Sequence, residues 1–210
     1  MICYRMTQGV YYFEDVLTNK FHETLHNHFL NLEFELDARP GSTHRVKNHD
    51  PHVYGIFLNV RDQLFQYLSV DDEDFRKYFD YDAGNFDLFH CLAKGPQRND
   101  LSHYHTDNSG SCQFGMVYYP HLRWEDSWGG ALCLGTELQI YPKPNSAVIF
   151  NSSIPHRINS VSIDADSWRM TIFSRTDSIS NNYLSGEYLL KTTKGVFNEE
   201  LIQPTQIKLE

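Results

Sequence analysis

The chain has 210 residues, 40% hydrophobic and 14% aromatic, which is enough apolar material for one domain with a sizeable core and too much for a disordered chain. A formal net charge of −9 without any Lys/Arg run argues against a nucleic-acid partner. No basic-then-apolar leader opens the chain, no apolar run reaches membrane-spanning length, and Cys3, Cys91, Cys112 and Cys133 are scattered without a CxxC pair, so a soluble, intracellular, cytoplasmic protein with buried reduced thiols is expected.

Taken in order, residues 10–13 read as a short strand, and the spacing of Phe21, Leu25, Phe29 and Leu32 predicts a helix over 15–32 that packs on a sheet. Residues 31–36 alternate like a strand that ends at Arg39-Pro-Gly41. The polar stretch 41–52 is expected to be a loop and is a candidate lid, with a plain solvated connection the simpler reading. Phe57, Val60, Leu64, Phe65 and Leu68 suit a second helix, and the acidic cluster 71–74 suits the start of a third, where negative charge complements the helix dipole.

After Gly84 the pattern changes to strands over 86–92, 103–107, 112–119, 131–134, 138–141, 147–150, 157–161 and 168–173. Helices first and many short strands after indicate an α+β domain whose strands roll into a small barrel, a double-stranded β-helix or jelly roll, with N-terminal helices packed on one sheet. The whole of 1–210 is expected to be one domain: a helix-rich part over about 1–84, the barrel core over about 85–176 and a tail over about 177–210. The tail carries a strand-like stretch at 187–191 and reads as an edge strand with a loose end, although covering the barrel mouth or joining two copies are alternatives.

Within this layout two groups of residues carry chemistry. His105 and Asp107 are two apart, so at strand periodicity they share a face, and a third ligand, His156, from a distant strand completes two imidazoles and one carboxylate, the set expected of non-haem Fe(II) with open positions. Arg169 lies in the strand-like run 167–175 with Thr171 on the same face; a guanidinium grips a carboxylate bidentately and a hydroxyl adds one more bond.

The segment from about Phe89 to Arg175 resembles the prolyl-4-hydroxylase-like branch of the Fe(II)/2-oxoglutarate dioxygenases. The pieces that match in order are His105-Thr-Asp107, the aromatic strand 114–119, the turn 124–130 leading into Ala131-Leu-Cys-Leu, the run 143–150, Pro155-His156-Arg157 and Arg169-Met-Thr171. The resemblance implies Fe(II) held by His105, Asp107 and His156, and 2-oxoglutarate as cosubstrate with its distal carboxylate on Arg169, Thr171 and Tyr119. It also implies O2 as second cosubstrate, ascorbate as a candidate reductant, and hydroxylation of a C–H bond with release of succinate and CO2. Intact Asp107 argues against the halogenase variant. A peptidyl proline or another protein side chain is the first expectation for substrate, with a free amino acid or small metabolite as the alternative. The strand at 89–92 lacks the Tyr that the relatives carry near the cosubstrate, which turns attention to Tyr119.

Three other readings compete. Phe21-His22-Glu23-Thr24-Leu25-His26 satisfies HExxH, the zinc-protease pattern, but no third ligand follows, so a solvated helix edge is expected. Arg169 with Arg175 resembles the paired arginines of AlkB-type demethylases, yet the upstream Asn-x-Tyr is missing. A non-enzymatic cupin-like binding module is the third. His90 and His121 are candidates to stand behind the ligands or face substrate, and His49 and His52 are expected at the surface.

Overall fold

The computed structural model describes residues 1–7, 9–31, 35–36, 45–48, 64, 88–93, 103–107, 112–177 and 206–207. Nine strands form one mixed sheet: β1 (Ile2–Thr7), β2 (Val10–Glu14), β3 (Glu35–Leu36), β4 (Arg45–Asn48), β5 (Leu88–Ala93), β6 (Cys112–Tyr119), β9 (Ser146–Asn151), β11 (Arg169–Asp177) and β12 (Gln206–Ile207). Their order is β12-β1-β2-β9-β6-β11-β5-β4-β3. A three-stranded sheet, in the order β10-β7-β8, is made of β7 (Leu132–Leu134), β8 (Leu138–Ile140) and β10 (His156–Ile158).

The two sheets share one apolar core, because alternation along each strand sends one set of side chains inward. Val117 and Tyr119 of β6, Val148 and Phe150 of β9, and Val10 and Tyr12 of β2 meet Leu132, Leu134 and Ile140 of the smaller sheet. Register keeps this inner face in step: Val117 pairs with Val148 and Phe173, and Tyr119 with Ser146. Since Tyr118 pairs with Ile172, Thr171 falls beside Tyr119 on that inner face.

Helix α1 (Asn19–Leu30) starts later and ends earlier than the apolar spacing suggests. Its buried stripe is His22, Leu25 and Phe29, with Phe21 only half-buried. The stripe turns toward His22 because an imidazole finds polar partners in the backbone of Pro120 and His121, as below. The segment before α1 is pinned by Asn145, whose side-chain oxygen accepts the Leu17 N–H at 2.9 Å and the Tyr118 hydroxyl at 3.0 Å, while its NH2 donates to the Leu17 carbonyl at 2.8 Å. Asn145 sits at φ 53°, a left-handed position that Asn tolerates better than most residues.

Several expectations change. Residues 103–107 do not form a strand; only His105 makes an isolated antiparallel bridge, to His156. Within the candidate lid, Arg45–Asn48 is strand β4, paired with β3 and β5. The N-terminal β1, not foreseen, pairs with β2, and β12 in the tail pairs parallel to β1. The expected helices over 53–68 and from 71 lie outside the described residues apart from a buried Leu64, as do His49, His52 and the stretch 187–191.

Candidate active site

Two backbone hydrogen bonds bring the first ligands together. The His105 N–H donates to the His156 carbonyl at 3.0 Å and the His156 N–H to the His105 carbonyl at 2.8 Å, which makes the two histidines a directly opposed antiparallel pair. Their rings lie 4.4 Å apart between centroids. Two residues on, the Asp107 N–H donates to the Ser152 carbonyl at 3.1 Å, and Asp107 Oδ2 comes to 3.6 Å from His156 Nε2. Convergence therefore rests on one bridge and one further backbone bond, not on a regular strand at 103–107.

Both imidazoles are oriented the same way. His105 Nδ1 lies 3.0 Å from the His103 carbonyl and His156 Nδ1 2.9 Å from that of Ile154. A carbonyl only accepts, so each Nδ1 carries the proton and each Nε2 keeps its lone pair. The ligand atoms of His105, Asp107 and His156 all lie within 4.8 Å of one another, the one such group of three among the described residues. Two imidazole nitrogens and one carboxylate form a mixed N/O donor set that fits Fe(II) and can leave coordination positions open. His156 and Asp107 are buried and His105 is half-buried, which leaves the ligand set accessible from one side.

At the other end of β7 stands Arg169, only 1% exposed. Its Nε–H donates to the Gly130 carbonyl at 2.7 Å, one Nη donates to the Tyr119 hydroxyl at 3.4 Å, and the guanidinium carbon lies 5.3 Å from the Tyr119 ring centre. Among the described residues no carboxylate pairs with it. Buried guanidinium left this way is costly, and donors remain for an incoming anion. Thr171 and Tyr119, both buried, flank it on the inner face. Burial pushes the Tyr119 hydroxyl above its ordinary value, more than the Arg169 charge pulls it down, so it stays protonated. Leu134 pairs with His156, so about four residues, roughly 13 Å at strand rise, separate the Gly130 clasp from this candidate metal ligand.

Gly130 is required at the clasp. With φ at 72°, it lies in the left-handed region, and a Cβ there would come within 3.0 Å of Arg169 Cδ and of Val161. The GG turn at 129–130 thus lets the chain reach the arginine side chain, a physical reason for that piece of the sequence pattern.

Two residues in this region carry more than the sequence suggested. His121 is neither exposed nor at the metal: it is fully buried, and its Nε2 accepts the Met170 N–H at 3.1 Å. His22 of the HExxH match is buried too, not a solvated edge, and His26 Nδ1 donates to the Pro120 carbonyl at 2.9 Å. No third metal-ligating side chain joins His22 and His26 among the described residues. Of the other candidates, His103 is exposed, His90 pairs in the ladder with Ile172, and Arg175 pairs with Gly115.

Residues 86–175 match the family model described as 2OG-Fe(II) oxygenase superfamily. A prolyl-4-hydroxylase from Pseudomonas putida superposes with a TM-score of 0.65 at 17% identity over 83% of this chain and 95% of that one. A Trichoplax adhaerens prolyl hydroxylase, solved with a hypoxia inducible factor oxygen degradation domain peptide fragment, gives 0.63 at 16% over 82% and 84%. The viral collagen prolyl hydroxylase of Paramecium Bursaria Chlorella virus-1, solved as a 2OG complex, gives 0.57 at 12% over 81% and 96%. No curated protein matches the chain by sequence. The match to the superfamily model is confined to residues 86–175, and the solved structures, among them several prolyl hydroxylases, share the fold of the chain. The fold is accordingly of the double-stranded β-helix kind, and the matched segment, 86–175, holds His105, Asp107, His156 and Arg169.

Proposed function

We propose that the chain is a hydroxylase that uses Fe(II), 2-oxoglutarate and O2 to hydroxylate a C–H bond of a peptidyl proline or another protein side chain, releasing succinate and CO2. One observation carries the reading furthest: a buried arginine without a carboxylate among the described residues stands on the same inner face as two imidazoles and a carboxylate that converge on one point. A dicarboxylic keto acid has the two ends that such a site needs.

His105 and His156, through Nε2, and Asp107, through its carboxylate, would hold the iron. When bound, iron and the keto acid supply the oxygen activation that the protein's own side chains cannot. The chain supplies placement. Backbone carbonyls of His103 and Ile154 fix the two rings and raise their basicity as ligands. Arg169 takes the distal carboxylate, with the Tyr119 and Thr171 hydroxyls as further donors. Val117, Leu132 and Val148 line the interior between the ends and exclude water, which strengthens each of these polar contacts. The pairing of β12 with β1 supports reading 1–210 as one domain. No helix among the described residues is long and apolar enough to cross a membrane.

The peptide-bound neighbour favours a protein or peptide substrate over a free amino acid. The test is Fe(II)-dependent succinate formation from 2-oxoglutarate with a panel of proline-containing peptides beside free proline and other amino acids. Peptide-stimulated succinate and a peptide gaining one oxygen atom are expected. Stimulation by free amino acids alone would move the substrate class, and no iron-dependent succinate under any condition would overturn the enzyme.

A further inference from the structure

Among the described residues three buried side-chain nitrogens have no hydrogen-bond partner, and two of them, His22 Nε2 and His121 Nδ1, belong to histidines that interact beside Arg169. We propose that His121, in its Nδ1–H tautomer, is a positioning residue for Arg169, and that His22 of α1 holds it in that tautomer. This rests on the reading of Arg169 as the cosubstrate's carboxylate anchor and adds what keeps that anchor in place.

Pairing between β6 and β11 begins at Tyr118 with Ile172, and the chain turns away through Pro120, so on that side the Met170 N–H has no strand partner. A buried N–H without an acceptor is expensive. His121 Nε2 takes the place of the missing carbonyl at 3.1 Å, one peptide unit from the Arg169 Cα. On the other edge the ladder continues normally, with Met170 opposite Leu92. The histidine therefore completes the hydrogen bonding of the one stretch of β11 that carries the guanidinium.

The tautomer follows. Nε2 accepts, so the ring proton is on Nδ1, and that Nδ1 is buried with no hydrogen-bond partner. His22 Nε2 is also buried with none. Backbone hydrogen bonding from His121 and Pro120 reaches the His22 ring, which leaves its Nε2 as an acceptor. One orphan donor and one orphan acceptor are complementary, His22 is close enough to act on the protonation of His121, and a single bridging water or a small ring shift would join them. The charged and titratable groups facing His121 are Arg169 from β11 and His22 and His26 from α1. Burial first, and then the Arg169 charge, hold His121 well below the ordinary imidazole value, so it remains an acceptor.

His121 also reaches the anchor by a second route. Its ring packs 4.5 Å from that of Trp124, whose Nε1–H donates to the Gly129 carbonyl and whose ring edge lies against Gly130, the residue that clasps Arg169 Nε. The arginine's backbone and its side-chain clasp are thus both referred to one imidazole, and through His22 and His26 to α1. The HExxH match then serves as a brace to the 120–121 backbone, with no zinc.

The test measures binding, not turnover: anaerobic calorimetric titration of the full-length chain with Fe(II) and then 2-oxoglutarate, in wild type, His121→Leu, His121→Gln and Arg169→Ala. His121→Leu is expected to weaken 2-oxoglutarate about tenfold, the effect of orphaning one buried N–H, with Fe(II) affinity unchanged. His121→Gln, whose side-chain oxygen can accept the same N–H, is expected to restore most of it. Equal 2-oxoglutarate affinity in the leucine variant and wild type, a glutamine variant as weak as leucine, or Fe(II) weakened in step with 2-oxoglutarate would each overturn the proposal. If Arg169→Ala binds 2-oxoglutarate undiminished, the cosubstrate reading itself fails and takes this proposal with it; a weak Arg169→Ala beside an unaffected His121→Leu sinks this proposal alone. Should the leucine chain not fold, nitrogen-15 NMR of wild type decides: a neutral Nδ1–H imidazole supports the assignment, and a proton on Nε2 contradicts it.

Discussion

The two ends of the site are built by opposite means. At the proposed metal end, three candidate ligands come from a single β-bridge and a neighbouring backbone bond, one histidine is half-buried, and Phe150 packs edge-on against the His156 ring. At the proposed anchor end, Arg169, Thr171 and Tyr119 of the large sheet are all buried, as is His121 just beyond β6, where α1 bonds to the Pro120 carbonyl. An ion can pull three converging donors into final geometry by itself, so the metal end needs only approximate backbone placement. A weakly held carboxylate has no such authority, and the anchor must be assembled beforehand.

Substitutions at the two ends should therefore fail differently. His156→Ala removes one of three donors and is expected to abolish both iron binding and succinate formation; turnover like wild type in an iron-dependent assay would take His156 out of the set. Arg169→Ala is expected to leave iron bound but weaken 2-oxoglutarate about a hundredfold, because the cosubstrate's carboxylate would be buried without its partner. An unchanged 2-oxoglutarate requirement would place the anchor elsewhere.

Two smaller effects probe the brace. Asn145→Ala breaks three buried hydrogen bonds and orphans the Leu17 N–H and carbonyl, so a stability loss of about 3 kcal/mol is expected in denaturant unfolding. A loss below about 1 kcal/mol would mean that water replaces the amide. The smallest effect is on pH dependence. Burial holds His22 and His121 below the ordinary imidazole value, so above about pH 6.5 both are neutral in folded and unfolded chains alike and their contribution is complete. As pH falls below that, the unfolded chain binds protons that the folded chain refuses, and stability should drop by up to about 1.4 kcal/mol per pH unit for each histidine. Unfolding measured from pH 7.5 to 5 should show a shallower acid slope in His121→Gln, and identical slopes would contradict this.

What the sequence made legible was whatever has a local signature. Alternating apolar residues gave β6, β9 and β11 to within a few positions, and the order of short motifs pointed to His105, Asp107, His156 and Arg169, which the fold places around one interior. What it hid depends on partners far along the chain. β4 reads Arg-Val-Lys-Asn, in which one apolar residue makes no rhythm, and only its pairing with β3 and β5 shows it to be a strand. His105 and Asp107 do converge with His156, but a bridge and a bond to Ser152 bring them together in place of the expected strand. His121 and Asn145 act on residues 49 and 128 positions away, and nothing beside them in sequence announces it. A histidine next to a proline at the end of an aromatic strand was the available hint. The HExxH stretch, expected as a solvated helix edge, instead buries His22 and ties His26 to the Pro120 carbonyl, partners that lie about a hundred residues away.

In the proposed enzyme a chelating keto acid is held between the two ends. Anaerobic addition of Fe(II) and then 2-oxoglutarate to the metal-free chain, followed by visible absorption, tests that directly. A charge-transfer band in wild type that is lost in His105→Ala, and that needs far more 2-oxoglutarate in Arg169→Ala, is the predicted result; no band in wild type at saturating iron and 2-oxoglutarate would contradict it.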